Sequence, residues 1–428
     1  MFRSQLTIRA IVGHTILPVT IALLLTFFPL SQGVMVEGSQ AFFDFSPSHS
    51  LGYPIFLALI GLITPEHMDI AYVQVWAYAF AVFILALGIC RVSTNHFFAL
   101  LCTLCLLLNP FILNAHFVIQ PDSLFISTSL MILAFLLHAI ASHGFFALFG
   151  FGLSIGVAIA LCPFGLAYLP LLIIAPVLFL RKNHCSFAKA FLVPALSSIA
   201  LISFEASAYH NLHTDQEYRP AAGSVFANAA LMNSNQQSPY ASKDPRTTLW
   251  ERIEQDLQGI RNEIWQEDDF KTRSNLLLSQ QHYLSENFSI NALTQAGFML
   301  DKSVDDIRMD IASSRIVQDP LAFLEITLTH YRRIWTSDNM LSYPFWVISL
   351  VTSLIGLWSW IRGKPFNGAF ALAFISAFAV QCQTILSAHM GIGPPHPLMF
   401  YSPLLSLNVI ALMLGFYMAF INPPRTNG

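Results

Sequence analysis

An all-α polytopic membrane fold, with about ten transmembrane helices, short surface helices at the outer face and a small, mainly helical outer domain, is predicted by three observations. The first is composition. Of 428 residues 55% are hydrophobic and only 11% charged, with a mean hydropathy of +0.59, values that belong to multi-pass membrane proteins rather than soluble domains. The second is spacing. Apolar windows of roughly 18 to 22 residues, enough to cross a hydrocarbon core of about 30 Å, occur near 11–30, 71–90, 97–114, 122–140, 145–162, 165–181, 190–208, 343–361, 368–388 and 399–420.

The third is the segregation of charge. If the N-terminus is inside, the cytoplasmic segments hold Arg3, Arg9, Arg91, Arg181, Lys182, Lys189, Arg362, Lys364 and Arg425, and no Asp or Glu. The other twelve basic residues lie between Arg219 and Arg333, within a segment (209–342) that also carries 18 acidic residues. Segments of that length cross the membrane largely regardless of charge. Both termini are therefore expected in the cytoplasm, with the acidic first loop (31–70) and the segment 209–342 outside. The expected division is a seven-span module over 1–208, the outer domain over 209–342 and a three-span module over 343–428. The first apolar run lacks a small-residue cleavage site and is read as a retained span.

The six cysteines lie in apolar runs or beside basic turns, and none falls in the polar middle segment, so no disulfide framework is implied. Cys102 and Cys105 form a CxxC inside an apolar run, where a packing role is expected. No nucleic-acid partner is expected; membrane lipids are.

Within the outer segment, Leu249, Ile253, Leu257, Ile260 and Ile264 recur at helical spacing, and this stripe is expected to pack on the membrane core. Asp319-Pro320 reads as a helix start. Leu321, Leu324, Leu328 and Tyr331 form a second stripe, leading to a basic and aromatic cluster, His330 to Trp335, suited to lipid headgroups.

Chemistry is expected around 32–64, where Glu37 and Asp44 precede a Pro/Ser/His turn and an apolar stretch too short to span. An outer-face carboxylate can accept the proton of a sugar or lipid hydroxyl; the same two residues also read as solvated loop acids. Asp122, after Gln120-Pro121, reads either as a helix cap or as a third acid on that side, and Glu205 has the same two readings. Arg219, Arg332, Arg333, His389 and His396 are outer-side groups suited to a phosphate, as forked or cationic donors. No Walker, Rossmann, HExxH or GxSxG pattern occurs, and no stretch has the ligand density of a DxD metal site. No cofactor is identified, and a divalent metal has no support in the sequence.

The order of parts resembles the membrane glycosyltransferases of the GT-C class, in particular bacterial relatives of the lipid A aminoarabinose transferases and protein O-mannosyltransferases. HSLGYPIFLALIG at 49–61 is similar to the surface helix of their first outer loop. LLLNPFILNAHFVIQPDSLFISTSLMILAF at 106–135 is similar to their third-to-fourth span hairpin, with an acid at the place of Asp122. LSIGVAIALCPFGLAYLPLLI at 153–173 is similar to the next hairpin, where an arginine commonly stands at the position of Cys162. DPLAFLEITLTHYRRIW at 319–335 and HPLMFYSPLL at 396–405 are similar to the helix leading back to the membrane and to the final span.

The resemblance implies an inner-membrane enzyme with a periplasmic outer domain. It would transfer a sugar, with inversion, from a polyprenyl-phosphate-linked donor to a lipid, glycan or protein acceptor. Glu37 is the best match to the family's base and Asp44 the second. The first loop is shorter than the family's, and the arginines flanking the final-loop tyrosine are missing, leaving His396 and Tyr401. A catalytically silent relative that binds a lipid-linked sugar or scaffolds an envelope complex is the alternative. A secondary transporter fits less well, since the acids gather at the outer side rather than at a midplane.

Overall fold

The computed structural model describes residues 8–31, 33–36, 39–46, 49–64, 66–142, 144–180, 187–213, 222–336, 342–362, 368–390 and 397–421. Among these the regular structure is helical apart from one isolated parallel backbone bridge, Val34 to Val118. The chain forms two compact units, one of Met1–Leu212, Pro344–Gln383 and His396–Gly428, the other of His213–Tyr343 and Thr384–Pro395.

The first unit begins with α1 (Ile8–Phe27), α2 (Ser39–Phe43), α3 (Gly52–Gly61), α4 (His67–Ser93), α5 (His96–Leu107), α6 (Pro110–Leu113), α7 (Asp122–Ser142), α8 (Phe145–Leu161), α9 (Leu169–Leu180) and α10 (Phe187–Leu212). Five described helices are long and apolar enough to cross a membrane: Ala10–Phe27, Met68–Ser93, Asp122–Ser142, Ala188–Leu212 and Gly368–Met390. His96–Leu107 and Pro110–Phe117 pass the same test only as a pair, bent by 50°, which fits a broken span or a re-entrant loop. The remaining expected spans correspond to shorter apolar helices. The bend follows from Asn109-Pro110: proline has no N–H to continue the helix, and the Asn109 side chain caps the next turn by accepting from Phe111 N at 3.0 Å.

In this unit α4 packs on α7, α7 on α8 and α8 on α10, with α1 against α4 and α5. The surface helix α3 meets α8 at Gly52, where an added Cβ would stand 2.4 Å from the Ala160 carbonyl oxygen. Gly52→Ala is therefore expected to push α3 off α8 at a cost of about 1–3 kcal/mol, as overpacking does. A lowered thermal midpoint of the full chain would show it.

The second unit comprises α11 (Ala222–Ala230), α12 (Pro245–Asp256), α13 (Gln258–Gln266), α14 (Phe270–Glu286), α15 (Ile290–Leu300), α16 (Val304–Gln318) and α17 (Pro320–Thr336). The chain continues through α18 (Ser342–Ile361), α19 (Gly368–Met390) and α20 (Pro397–Ile421). Leu249, Ile253, Leu257 and Ile264 are buried as predicted, with Ile260 packed beside them, but in the unit's own core around Phe226, Leu277, Leu293 and Ile311. The expected packing on the membrane core is corrected accordingly: seven short helices supply enough apolar faces to close a core of their own. Asp319 caps α17, accepting from Ala322 N at 3.0 Å. The stripe Leu321, Leu324 and Leu328 is exposed, and the opposite face, with Phe323, Ile326 and His330, is buried.

Two arginines in this unit converge on one carboxylate. Arg315, fully buried, pairs with Glu254 and donates from Nε to the Ala229 carbonyl at 2.8 Å, while its guanidinium lies 5.1 Å over the Trp250 ring. Arg261 reaches the same carboxylate at 2.9 Å. Burial alone would raise the Glu254 carboxyl, but the hydrogen bonds and charges of the two arginines outweigh it and hold the group below the usual carboxylate range.

His330 contacts Asn228 Oδ1 through Nε2 at 3.1 Å, and burial, aided by the Arg333 charge, pushes its pKa down to about 4. A histidine held neutral stabilises the fold fully above its unfolded pKa of about 6.5, and that contribution is lost as pH falls from there toward the folded value. The expected loss is up to about 3 kcal/mol, seen as a falling melting midpoint between these two pH values and flattened in His330→Gln.

Candidate active site

Three of the stretches singled out in the sequence meet within the first unit. The segment after α1 is clasped to the strand-like turn before α7: Val34 N donates to the Phe117 carbonyl at 2.8 Å and Ile119 N donates to the Val34 carbonyl at 3.1 Å. Buried Ser39 completes the clasp, its Oγ donating to the Ile119 carbonyl and accepting from Val36 N, both at 2.9 Å. From beneath, buried Gln74 of α4 donates to the carbonyls of His116 and Val118 at 2.9 and 3.2 Å. These bonds satisfy backbone groups that the absence of regular structure would leave unpaired.

The helix α3 is fixed from the other side. The Glu205 carboxylate, on α10, accepts from Leu51 N at 3.0 Å, at the start of α3, where free N–H groups and the helix dipole favour a negative charge. Phe42, Tyr53, Leu57, Ile60, Ile70, Ile119 and Leu161 form one apolar cluster, with Leu124 and Cys162 packed against it. The His49 ring lies 4.3 Å from that of Phe42, and Tyr53 meets Phe42 edge-on at 5.2 Å. Burial lowers the His49 pKa, favouring its neutral imidazole.

Asp122, the first residue of α7, stands beside this cluster. It is half-buried, and among the described residues its carboxylate has neither a hydrogen bond nor an ion pair, so the helix-cap reading is not met. Tyr53 lies close enough to feel it: burial first, then the negative charge of Asp122, push the Tyr53 phenol well above its ordinary range. A carboxylate so placed is a proton acceptor looking for a donor, next to a tyrosine that stays protonated.

Of the other predicted residues, Glu37, Arg219 and His396 lie outside the described residues. Asp44 is exposed at the end of α2, its Oδ1 accepting from Gln40 Nε2 at 3.0 Å. In the second unit Arg332 is exposed and stacks 3.9 Å over the Phe270 ring, while Arg333 is half-buried, which lowers its pKa. The His330–Trp335 cluster therefore splits, with His330, Ile334 and Trp335 turned inward. His389 is exposed and meets Phe323 edge-on at 5.1 Å. Tyr401 is buried in α20. Tyr53, Gln74 and His49 were not singled out; Tyr53 stands within the stretch 49–61, but nothing in sequence marks it as the tyrosine beside Asp122.

No protein-family model and no curated protein sequence matches the chain. Among solved structures it is similar to the oligosaccharyltransferase of Archaeoglobus fulgidus tethered to an acceptor peptide with the NVT sequon, at a TM-score of 0.46 and 11% identity, covering 97% of this chain and 51% of that one. It is also similar to the archaeal oligosaccharyltransferase AglB from the same organism in complex with an inhibitory peptide and a dolichol-phosphate, at a TM-score of 0.47 and 10% identity, covering 96% and 50%. The chain thus spans about half the length of the solved structures it resembles.

Proposed function

We propose that the protein is a multi-pass glycosyltransferase of the GT-C kind, moving a sugar from a polyprenyl-phosphate-linked donor to an acceptor hydroxyl at the periplasmic face of a bacterial inner membrane. The observation that carries this reading is the half-buried Asp122 carboxylate, which has no hydrogen bond or ion pair among the described residues and stands close enough to Tyr53 of α3 to raise its phenol further than burial does. The sequence resemblance to GT-C enzymes puts an acid at the same position. In the proposed reaction a carboxylate takes the acceptor proton while the acceptor oxygen bonds to the anomeric carbon. The bond from that carbon to the phosphate oxygen breaks, and its electron pair leaves with the lipid phosphate. Asp122 is the preferred base and Glu37 the next; Asp44, exposed and bonded to Gln40, is the least suited.

A phosphate leaving group gains most from cationic donors, the role for which the sequence offers Arg219, Arg332, Arg333, His389 and His396. The second reading, a silent relative that binds lipid-linked sugar without turnover, is favoured by one observation: Cys162, where the resemblance commonly has an arginine, packs against the apolar cluster that holds Tyr53. Transfer of radiolabelled sugar from polyprenyl-phosphate donors by the full chain in liposomes separates the two. Turnover in the wild type supports the enzyme; donor binding without turnover supports the silent relative.

A further inference from the structure

At the opposite end of α4 from the candidate active site, three side chains that the sequence scatters over 82 residues come together. His14 lies in the second turn of α1, Cys90 in the last turn of α4, and His96 is the first residue of α5. The tight connection between α4 and α5 makes this possible. Thr94 takes a left-handed conformation (φ 56°) that ends α4, and Asn95 then caps α5 by accepting from Phe98 N at 3.0 Å.

The Cys90 sulfur stands 3.0 Å from His14 Nε2 and 3.5 Å from His96 Nδ1, and the two nitrogens are 3.2 Å apart. Among the described residues none of the three side chains has a hydrogen-bond partner outside this trio. His14 and Cys90 are buried and His96 is exposed, so one side of the trio opens outward.

We propose that this trio is a binding site for a thiophilic d10 cation, with zinc(II) as its best fit. Zinc bonds of about 2.0–2.1 Å to nitrogen and 2.3 Å to sulfur, set at tetrahedral angles, imply donor separations of roughly 3.3 Å between nitrogens and 3.6 Å between nitrogen and sulfur. Two of the three observed separations, nitrogen to nitrogen at 3.2 Å and sulfur to His96 at 3.5 Å, come within a few tenths of an ångström of that triangle, and the sulfur–His14 contact at 3.0 Å would have to lengthen. Two imidazoles and a thiol without a carboxylate exclude the hard cations calcium and magnesium and favour zinc or copper(I). A hydrogen-bonded trio is the competing arrangement. It has a proton for only some of its three contacts, whereas a cation accepts a lone pair from all three atoms at once. Binding would release the Cys90 proton to solvent, the thiolate being the ligand, and the exposed side would carry water as the fourth ligand. The ion would fasten α1 to the α4–α5 turn.

The test uses the full chain without an affinity tag of histidines, purified in detergent, stripped by chelator and titrated with Zn²⁺ and, separately, Co²⁺. Expected are one equivalent bound per chain, a thiolate-to-cobalt charge-transfer band, and a melting midpoint that rises with added zinc. Cys90→Ser should abolish the band, and His14→Asn and His96→Asn should each weaken zinc binding at least the roughly 10- to 100-fold that loss of even an outer-shell partner costs. Since His96 is exposed, His96→Asn is the variant least exposed to misfolding and decides the matter if the others are poorly folded. Substoichiometric binding, a band that survives Cys90→Ser, or unchanged affinity in a well-folded His96→Asn would overturn the site. Tight binding of Cu⁺ with none of Zn²⁺ would overturn the assignment to zinc.

Discussion

Asp122→Asn is expected to reduce sugar transfer by about 10²- to 10⁴-fold in kcat, the range a positioned general base contributes, with little change in KM for the donor. The substitution is isosteric, and the wild-type carboxylate makes no hydrogen bond or ion pair among the described residues. Folding should therefore be untouched, and removal of an uncompensated half-buried charge should leave the melting midpoint equal or higher. That combination, lost turnover in an unharmed fold, distinguishes a base from a structural acid. Asp44→Asn, altering an exposed side chain that among the described residues is bonded to Gln40, should retain most of the activity. Should Asp122→Asn turn over normally while Glu37→Gln does not, the base is in the first loop and Asp122 is not it.

Glu254→Gln should destabilise the second unit by roughly 3–5 kcal/mol, the cost of stranding one member of a buried ion pair. The side chains concerned are fixed on all sides: Arg315 is fully buried, Arg261 is 4% exposed at its side chain, and both address the one carboxylate. An amide keeps the shape but gives one guanidinium an N–H to face instead of an oxygen. Trp250, beside Arg315, reports the change, so urea unfolding followed by tryptophan fluorescence should show an early transition. The double change Glu254→Gln with Arg315→Met should recover much of the loss, since packing an apolar side chain there removes the stranded charge. A single change that costs less than about 1 kcal/mol would mean water reaches the pair and screens it.

Much of the helical layout is legible in the sequence because long apolar windows and three- and four-residue stripes are local signals. The helix start at Asp319-Pro320 and the buried face of Leu249, Ile253, Leu257 and Ile264 are read that way. What that face packs against is not local: it depends on whether α11, α14 and α16 offer apolar partners, and they do. The site was partly legible. Asp122 stands out as an ionisable group at a span edge, yet its lack of a capping partner depends on how the chain turns at Pro121. Neither the Glu205 contact with Leu51 nor the trio of His14, Cys90 and His96 could be read, because each joins residues far apart along the chain without a spacing motif. Exposed Leu321, Leu324 and Leu328 show the reverse: a good stripe need not be the face that is buried.

The bond between Glu205 and Leu51 also bears on the order in which the molecule assembles during synthesis. Its partners are 154 residues apart, so the first turn of α3 has no cap until α10 has left the ribosome. Until then a ten-residue helix, too short to hold itself in water, relies on its packing against α2, α4 and α8. The bond that fixes the start of α3, whose Tyr53 stands beside Asp122, is therefore made late, and a nascent chain halted before α10 would lack it.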